Sequence, residues 1–387
     1  MFTLTPILPL VIFAVAFLCA HFIAKKYKIV EHTNRFETID GLRGFLGIGV
    51  FIHHTAVWYQ YLHIGFWRPP QSNLYNQLGQ TSVTLFFMIT AFLFFNKLKQ
   101  QQEGKLINWK ALFVSRIFRL SPLYLVSIFV LVIIVLNLSN WTLNIPALSF
   151  IRQLAYWASF TITRNPLINQ CELTHQINAG VVWSLPYEWL FYLSLPMLSL
   201  LLFRKRPPLQ FIGLSLLFLA IYFKYKNPSY HHLLSFVGGA IAPFLLAWFE
   251  PKKINFNAWY FNALLLISLG SILFFEDSSY LVCKLLITIV FNLVVLGNNL
   301  FGLLKKPALK LLGEISYSTY LLHGIVLFTV LYYGFGFENA KLLSLNQYYL
   351  IILLLTPLVV LVSLLGYLGI EKPFMDLNKK WFRKEKN

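Results

Sequence analysis

The stretch from Arg35 to Gln60 reads RFETIDGLRGFLGIGVFIHHTAVWYQ. It begins with charges and ends as an apolar helix, yet His53 and His54 stand inside the apolar part and Arg43 at its start. Imidazole is the side chain that exchanges a proton near neutral pH, so it suits the removal of a proton from a reacting hydroxyl. A guanidinium grips phosphate through parallel N–H bonds. Arg43 and His54 are eleven residues apart. At about 100° per residue that is about 20° beyond three full turns, so both lie on one helix face, roughly 16 Å apart along the axis. His53 points about 100° away from His54 and is expected to be structural. The spacing predicts a cation at the inner mouth of a path and a base deep inside it, with His54 as the catalytic group.

Other ionisable groups fall in apolar surroundings, where each is costly and therefore a candidate for function. In FVSRIFRLSPLYL, Arg116 and Arg119 share a helix face at the inner end of a span. They could bind phosphate or simply anchor the helix at the membrane surface. In VVWSLPYEWLFYLSLP, Glu188 lies about seven residues into a span, where a carboxylate must be paired, hydrated or protonated. In GEISYSTYLLHGIVL, His323 follows Ser316, Tyr317 and Tyr320; the tyrosines could equally be interface aromatics.

The elements that must position these groups are membrane helices. The chain has 387 residues, 58% hydrophobic and 12% charged, about half the charge of a soluble domain. Aromatic residues make up 17%, which suits belts at the two interfaces. The net charge of +18 does not indicate nucleic acid, because the basic residues are scattered between apolar spans. Cys19, Cys171 and Cys283 imply no disulfide framework. The first apolar run has its lysines after it rather than before it, which reads as a retained span and not a cleaved leader.

Eleven segments are long enough to be read as spans: about 3–24, 41–62, 78–96, 118–138, 180–203, 208–224, 230–249, 257–275, 279–297, 315–335 and 347–370. Part of the gap at 139–179, about 148–160, is expected to lie as a short helix in the interface. With the N-terminus outside, the inner segments hold 25 basic residues. They are Lys25, Lys26, Lys28, Arg35, Arg43, Lys97, Lys99, Lys105, Lys110, Arg116, Arg119, Arg204, Lys205, Arg206, Lys252, Lys253, Lys305, Lys306, Lys310, Lys372, Lys379, Lys380, Arg383, Lys384 and Lys386. The outer segments hold six: Arg68, Arg152, Arg164, Lys224, Lys226 and Lys341. Lys284 falls within a span. This split follows the positive-inside rule and predicts an all-α polytopic bundle, N-terminus outside and C-terminus cytoplasmic.

In this order the segments resemble the acyltransferase-3 family of integral membrane O-acyltransferases, which modify cell-surface glycans. RFETIDGLRGFLGIGVFIHH is similar to the family's opening signature, an Arg separated from a His by ten intervening residues, with Arg43 and His54 in those places. SVTLFFMITAFLFF resembles its second stretch, with Thr90-Ala91 where the family usually has Ser-Gly. SRIFRLSPLYL matches its Arg-x-x-Arg segment and VVWSLPYEWLFYL its Trp-Ser-Leu-x-x-Glu stretch. EISYSTYLLH and IEKPF resemble its last two blocks. The likeness covers about residues 35–376 and departs from the family in an extra N-terminal span, residues 1–30, ahead of a core at 31–376. A basic cytoplasmic tail, 377–387, follows. The outer-face soluble domain carried by many members is expected to be lacking.

The resemblance implies a bacterial inner-membrane enzyme that passes an acyl group, usually acetyl, from cytoplasmic acyl-CoA to a hydroxyl of a surface glycan or lipid-linked oligosaccharide. His54 and Glu188 would be catalytic, and Arg43, Arg116 and Arg119 would bind the donor. Asp40, Trp183, Ser184, Tyr317 and His323 would support them. No metal is expected. Two other classes compete. A proton-coupled transporter could use His54, Glu188 and His323 as relay groups, but such proteins often show repeated halves with broken helices, and no such pair is visible in the sequence. A glycan polymerase or ligase would be expected to carry a larger charged outer loop than 139–179.

Overall fold

A computed structural model of the chain describes residues 5–27, 36–102, 104 and 106–384. Lys28, Arg35, Lys105 and Lys386 of the basic residues named above lie outside the described residues, as does the expected boundary at residue 30. The described residues form helices and turns, with no strand among them. In chain order the helices are α1 (Ile7–Tyr27), α2 (Glu37–Ile64), α3 (Asn73–Gln102), α4 (Trp109–Leu138), α5 (Ala147–Ala158) and α6 (Thr174–Ile177). There follow α7 (Leu185–Phe203), α8 (Leu209–Tyr225), α9 (Tyr230–Phe249), α10 (Trp259–Ile272) and α11 (Leu281–Val295). The last are α12 (Pro307–Glu314), α13 (Ser316–Phe328), α14 (Phe337–Lys341), α15 (Leu345–Gly366) and α16 (Lys372–Lys384).

Each of the eleven expected spans falls on a helix, but the helices are unequal. Six are long and apolar enough to cross a membrane, and a seventh is counted if the pair α12 and α13, bent by 69° at Ile315, is one broken span. The expected spans at 208–224, 257–275 and 279–297 are shorter apolar helices, α8, α10 and α11, of 17, 14 and 15 residues. Helix α2 is long, at 28 residues, but its glycines, histidines and Gln60 dilute its apolar character. The chain is an all-α integral membrane protein.

Two compact units are distinguished by their internal packing: Met1–Phe92 with Leu234–Leu364, and Leu93–Leu233 with Leu365–Asn387. In the first unit, Leu46, Met88, Phe92, Ile287 and Phe291 belong to one buried cluster. Phe36 meets Phe92 edge-on, with ring centroids 4.9 Å apart. Lipid supplies little apolar drive for helices to associate, so close packing through small residues matters. Gly41 faces the Leu304 backbone and Gly313 the Asp40 backbone, so tightly that a Cβ at either would collide. A Cβ on Gly44 would stand 2.5 Å from the Leu309 carbonyl oxygen. The glycines of α2 therefore hold it against α12 and the start of α13.

In the second unit, Asn108 caps α4 by accepting from the Ala111 N–H at 2.9 Å, the side-chain capping that satisfies an orphan helix donor. Tyr124 stacks on Phe160, centroids 4.4 Å apart, and donates to the Trp157 carbonyl at 2.6 Å. Ser215 of α8 donates to the Leu193 carbonyl of α7 at 2.6 Å. Helix α5 falls where an interfacial helix was expected, and Leu148 and Ile151 on it are exposed. Helix α16 sets Lys372, Lys379 and Lys380 beside exposed Phe374, Leu377 and Trp381, the make-up of a helix that lies in a membrane surface.

Candidate active site

The first unit brings His54 of α2 to His323 of α13. His54 Nδ1 is 3.0 Å from His323 Nε2, and the ring centroids are 4.9 Å apart. The surroundings set the tautomers. His323 Nδ1 faces the Thr319 carbonyl at 2.8 Å. A carbonyl only accepts, so that nitrogen carries the proton and Nε2 of the neutral ring holds a lone pair. His54 Nδ1 likewise faces the Val50 carbonyl at 2.9 Å and carries a proton, which it shares with His323 Nε2. The basic nitrogen of His54 is then Nε2. His323 is fully buried, whereas His54 is half-buried. The arrangement is an imidazole base whose second nitrogen is held by another imidazole. This is the third-group logic of an oriented base.

Arg43 sits on the same helix as His54. One Nη donates to Ser316 Oγ at 3.1 Å, and the other lies 3.8 Å from Asp40 Oδ1. The two groups that the sequence set on one face of α2 thus both reach α13, one at its first residue and one two turns later. Asp40 acts here as a partner of Arg43. Tyr317 lies half-buried on α13. His53 turns to α3: its Nδ1 faces the Tyr75 carbonyl at 2.9 Å, and its ring fills the space above Gly79, where a Cβ would come within 2.5 Å.

The second unit gathers the other candidates. Tyr192 donates to Glu188 Oε2 at 3.3 Å, and Arg116 hydrogen-bonds the Tyr192 side chain. The Arg116 guanidinium lies over the Phe94 ring, 5.3 Å from its centroid, and its Nε is a buried donor without a partner. Lys97 sits over the same ring at 5.4 Å and within electrostatic reach of Arg116 and Arg119. Arg116 and Lys97 therefore share the Phe94 ring, Arg116 is linked to the Glu188 carboxylate through Tyr192, and Arg119 lies within electrostatic reach of both cations. Ser184 is buried and donates to the Val181 carbonyl at 3.4 Å. Trp183 is 40% exposed and packs on His232, centroids 4.8 Å apart.

Sequence reasoning did not single out Tyr192, Lys97 or Thr319. Tyr192 could have been found from its place four residues after Glu188, one turn along the same face. Lys97 was counted only as a topology signal. The role of Thr319 is a backbone carbonyl, which no side-chain pattern reveals. Within the first unit the group that holds His54 Nδ1 is His323.

A family model described as an acyltransferase domain, that of the acyltransferase-3 family, matches residues 36–368. No curated protein matches the chain, and no solved structure does. The matched region includes the Arg43–Ser316 contact, the histidine pair and the Arg116–Tyr192–Glu188 chain. The chain belongs to the acyltransferase-3 family and is a membrane-bound O-acyltransferase.

Proposed function

We propose that the protein transfers an acyl group, acetyl in the first instance, from cytoplasmic acyl-CoA across the bacterial inner membrane to a hydroxyl of a surface glycan or lipid-linked oligosaccharide. The observation that carries this reading is the His54–His323 pair. A hydroxyl acceptor needs a base near neutral pH, and His54 offers Nε2 in the tautomer that can take a proton. The acceptor oxygen attacks the thioester carbonyl as its proton passes to His54 Nε2. The tetrahedral centre then collapses, the C–S bond breaks, and the CoA thiolate leaves and takes that proton back. His323 accepts from His54 Nδ1–H throughout, which orients the ring and favours the imidazolium while it exists.

The donor's phosphates are assigned to guanidinium and ammonium groups, which bind them by charge-assisted bonds. Arg116 and Arg119, with Lys97 beside them, suit this by their grouping, and the unpartnered Nε of Arg116 is a donor in reserve. Arg43 is also assigned to the donor, while it holds α2 to Ser316. Glu188 is assigned to catalysis, with Tyr192 as its hydrogen-bonding partner. The basic residues are proposed to face the cytoplasm, as the positive-inside count suggests. A transporter reading has one observation in its favour, the broken pair α12 and α13, but a single break is not a repeated pair.

The test is to supply purified protein with acetyl-CoA and a surface polysaccharide, and to measure thiol release and ester formation together. Stoichiometric ester on the glycan is the expected result. Thiol release with the acetyl group recovered only in water would sink the acceptor assignment.

A further inference from the structure

A cavity of about 260 Å³ opens in the second unit, walled by Trp183, Tyr187 and Tyr222 and edged by Asn165, Asn227 and Lys226. Its residues come from four places in the sequence: the 139–179 segment, the entry to α7, the end of α8 and the turn after it. The aromatic wall is held firmly. Tyr187 accepts from the Ser229 N–H at 3.0 Å, Tyr222 is 1% exposed, and Tyr187 meets His232 with ring centroids 5.0 Å apart. Trp183 alone among the three presents a large free area, at 40% exposure. The volume lies a little under the about 300–1,000 Å³ of drug-sized pockets, so it suits one ring and not a chain.

A sugar ring has an apolar C–H face and a rim of hydroxyls. The Trp183 indole and the partly exposed Tyr187 phenol offer flat apolar faces with polar tips, with buried Tyr222 behind them, and the two asparagines supply both donors and acceptors for the rim. Lys226 is the discriminating group. Among the described residues no carboxylate pairs with its ammonium, and burial holds that ammonium below its ordinary value. A desolvated cation gains most from an anion placed beside it.

We infer that this cavity binds a sugar carrying a carboxylate, such as a uronic acid, with the ring on Trp183 and the carboxylate at Lys226. The inference rests on the glycan-acceptor reading above and names the class of sugar that the acceptor contains. A lipid phosphate could satisfy the ammonium, but it has no use for the aromatic wall and the asparagines.

The experiment uses the full chain in phosphatidylcholine nanodiscs. The probes are a glucuronate-containing disaccharide and the same sugar with its carboxyl reduced to an alcohol. Binding is read from tryptophan fluorescence or calorimetry. The acid is expected to bind about tenfold more tightly than the reduced sugar, the worth of one charge-assisted bond at a half-exposed site. Lys226→Gln should abolish that preference, Lys226→Arg should keep it, and Trp183→Leu should weaken both sugars. Equal binding of the two sugars, no binding of either, or an acid preference that survives Lys226→Gln would overturn the inference. So would displacement of the acid by anionic phospholipid added to the disc. An acyl-transfer assay run in parallel separates the two readings. Ester formed on a glycan without acid preference defeats the cavity assignment alone. Acid preference lost in Lys226→Gln, with no glycan acylated, defeats the acceptor reading and leaves the cavity as a sugar site.

Discussion

His54 meets His323 between helices whose backbones nearly touch, whereas Arg116 reaches Tyr192 and Phe94 along a long, flexible side chain. In the first unit the glycines of α2 bring it against α12 and α13, so that two short imidazoles can bond directly and backbone carbonyls fix their tautomers. In the second, charges gather around an aromatic ring and a phenol, with buried donor capacity left over. The difference fits two tasks. Proton transfer tolerates little positional error, while holding a polyanion needs charge and many donors more than one geometry.

Substitutions at four positions would break or sharpen this contrast. The largest effect is expected from His54→Ala, which should lower acyl transfer about 10²–10⁴-fold, the usual contribution of a general base. Membrane insertion should be retained. Transfer at an undiminished rate, at matched protein level, would move the chemistry elsewhere, with His323 next in line. Next is Arg116→Ala, expected to raise the Michaelis constant for acetyl-CoA about 10–100-fold for the loss of charged hydrogen bonds. Arg116→Lys should recover only part of it, since lysine lacks the fork. An unchanged constant for donor in Arg116→Ala would remove this residue from donor binding.

Tyr192→Phe should cost less, about two- to tenfold in the rate, because the phenol's link between Glu188 and Arg116 is lost while both charged groups remain. Initial rates at saturating donor measure it. Equality with the parent would mean that Glu188 acts without its phenol. Smallest of all is His53→Ala. It removes one bond to the Tyr75 carbonyl and should lower detergent-solubilised stability by about 1 kcal/mol, with most activity kept. A dead His53→Ala that still folds would reverse the roles of the adjacent histidines.

Much of this arrangement was legible in the sequence because helices have a fixed period. The spacing of Arg43 and His54 put them on one face, and both do reach the same neighbouring helix. The runs of apolar residues located every long helix. Periodicity, however, gives a face and not the residue opposite it. The pairing of His54 with His323 spans 269 positions, and the bend at Ile315 that presents Ser316 to Arg43 is announced only by Gly313 two residues before it, which reads equally as a packing glycine. The link of Arg116 to Glu188 runs through Tyr192, whose sequence context reads equally as an interface aromatic. The short helices α10 and α11 were drawn too long because flanking residues belong to turns and loops, whereas α8 was drawn at its observed length of 17 residues.

The dependence of α2 on α13 has a consequence in time. Ser316 is 273 residues downstream of the Arg43 it binds, and His323 is 269 downstream of His54. At about 5–20 residues per second of synthesis, α2 leaves the ribosome tens of seconds before its partners exist. During that interval it is a weakly apolar helix carrying an arginine and three histidines, and Gly41, Gly44 and Gly47, which pack against residues 304–316, face no partner. Its commitment to the bilayer therefore belongs late in biogenesis, after α12 and α13 have been made.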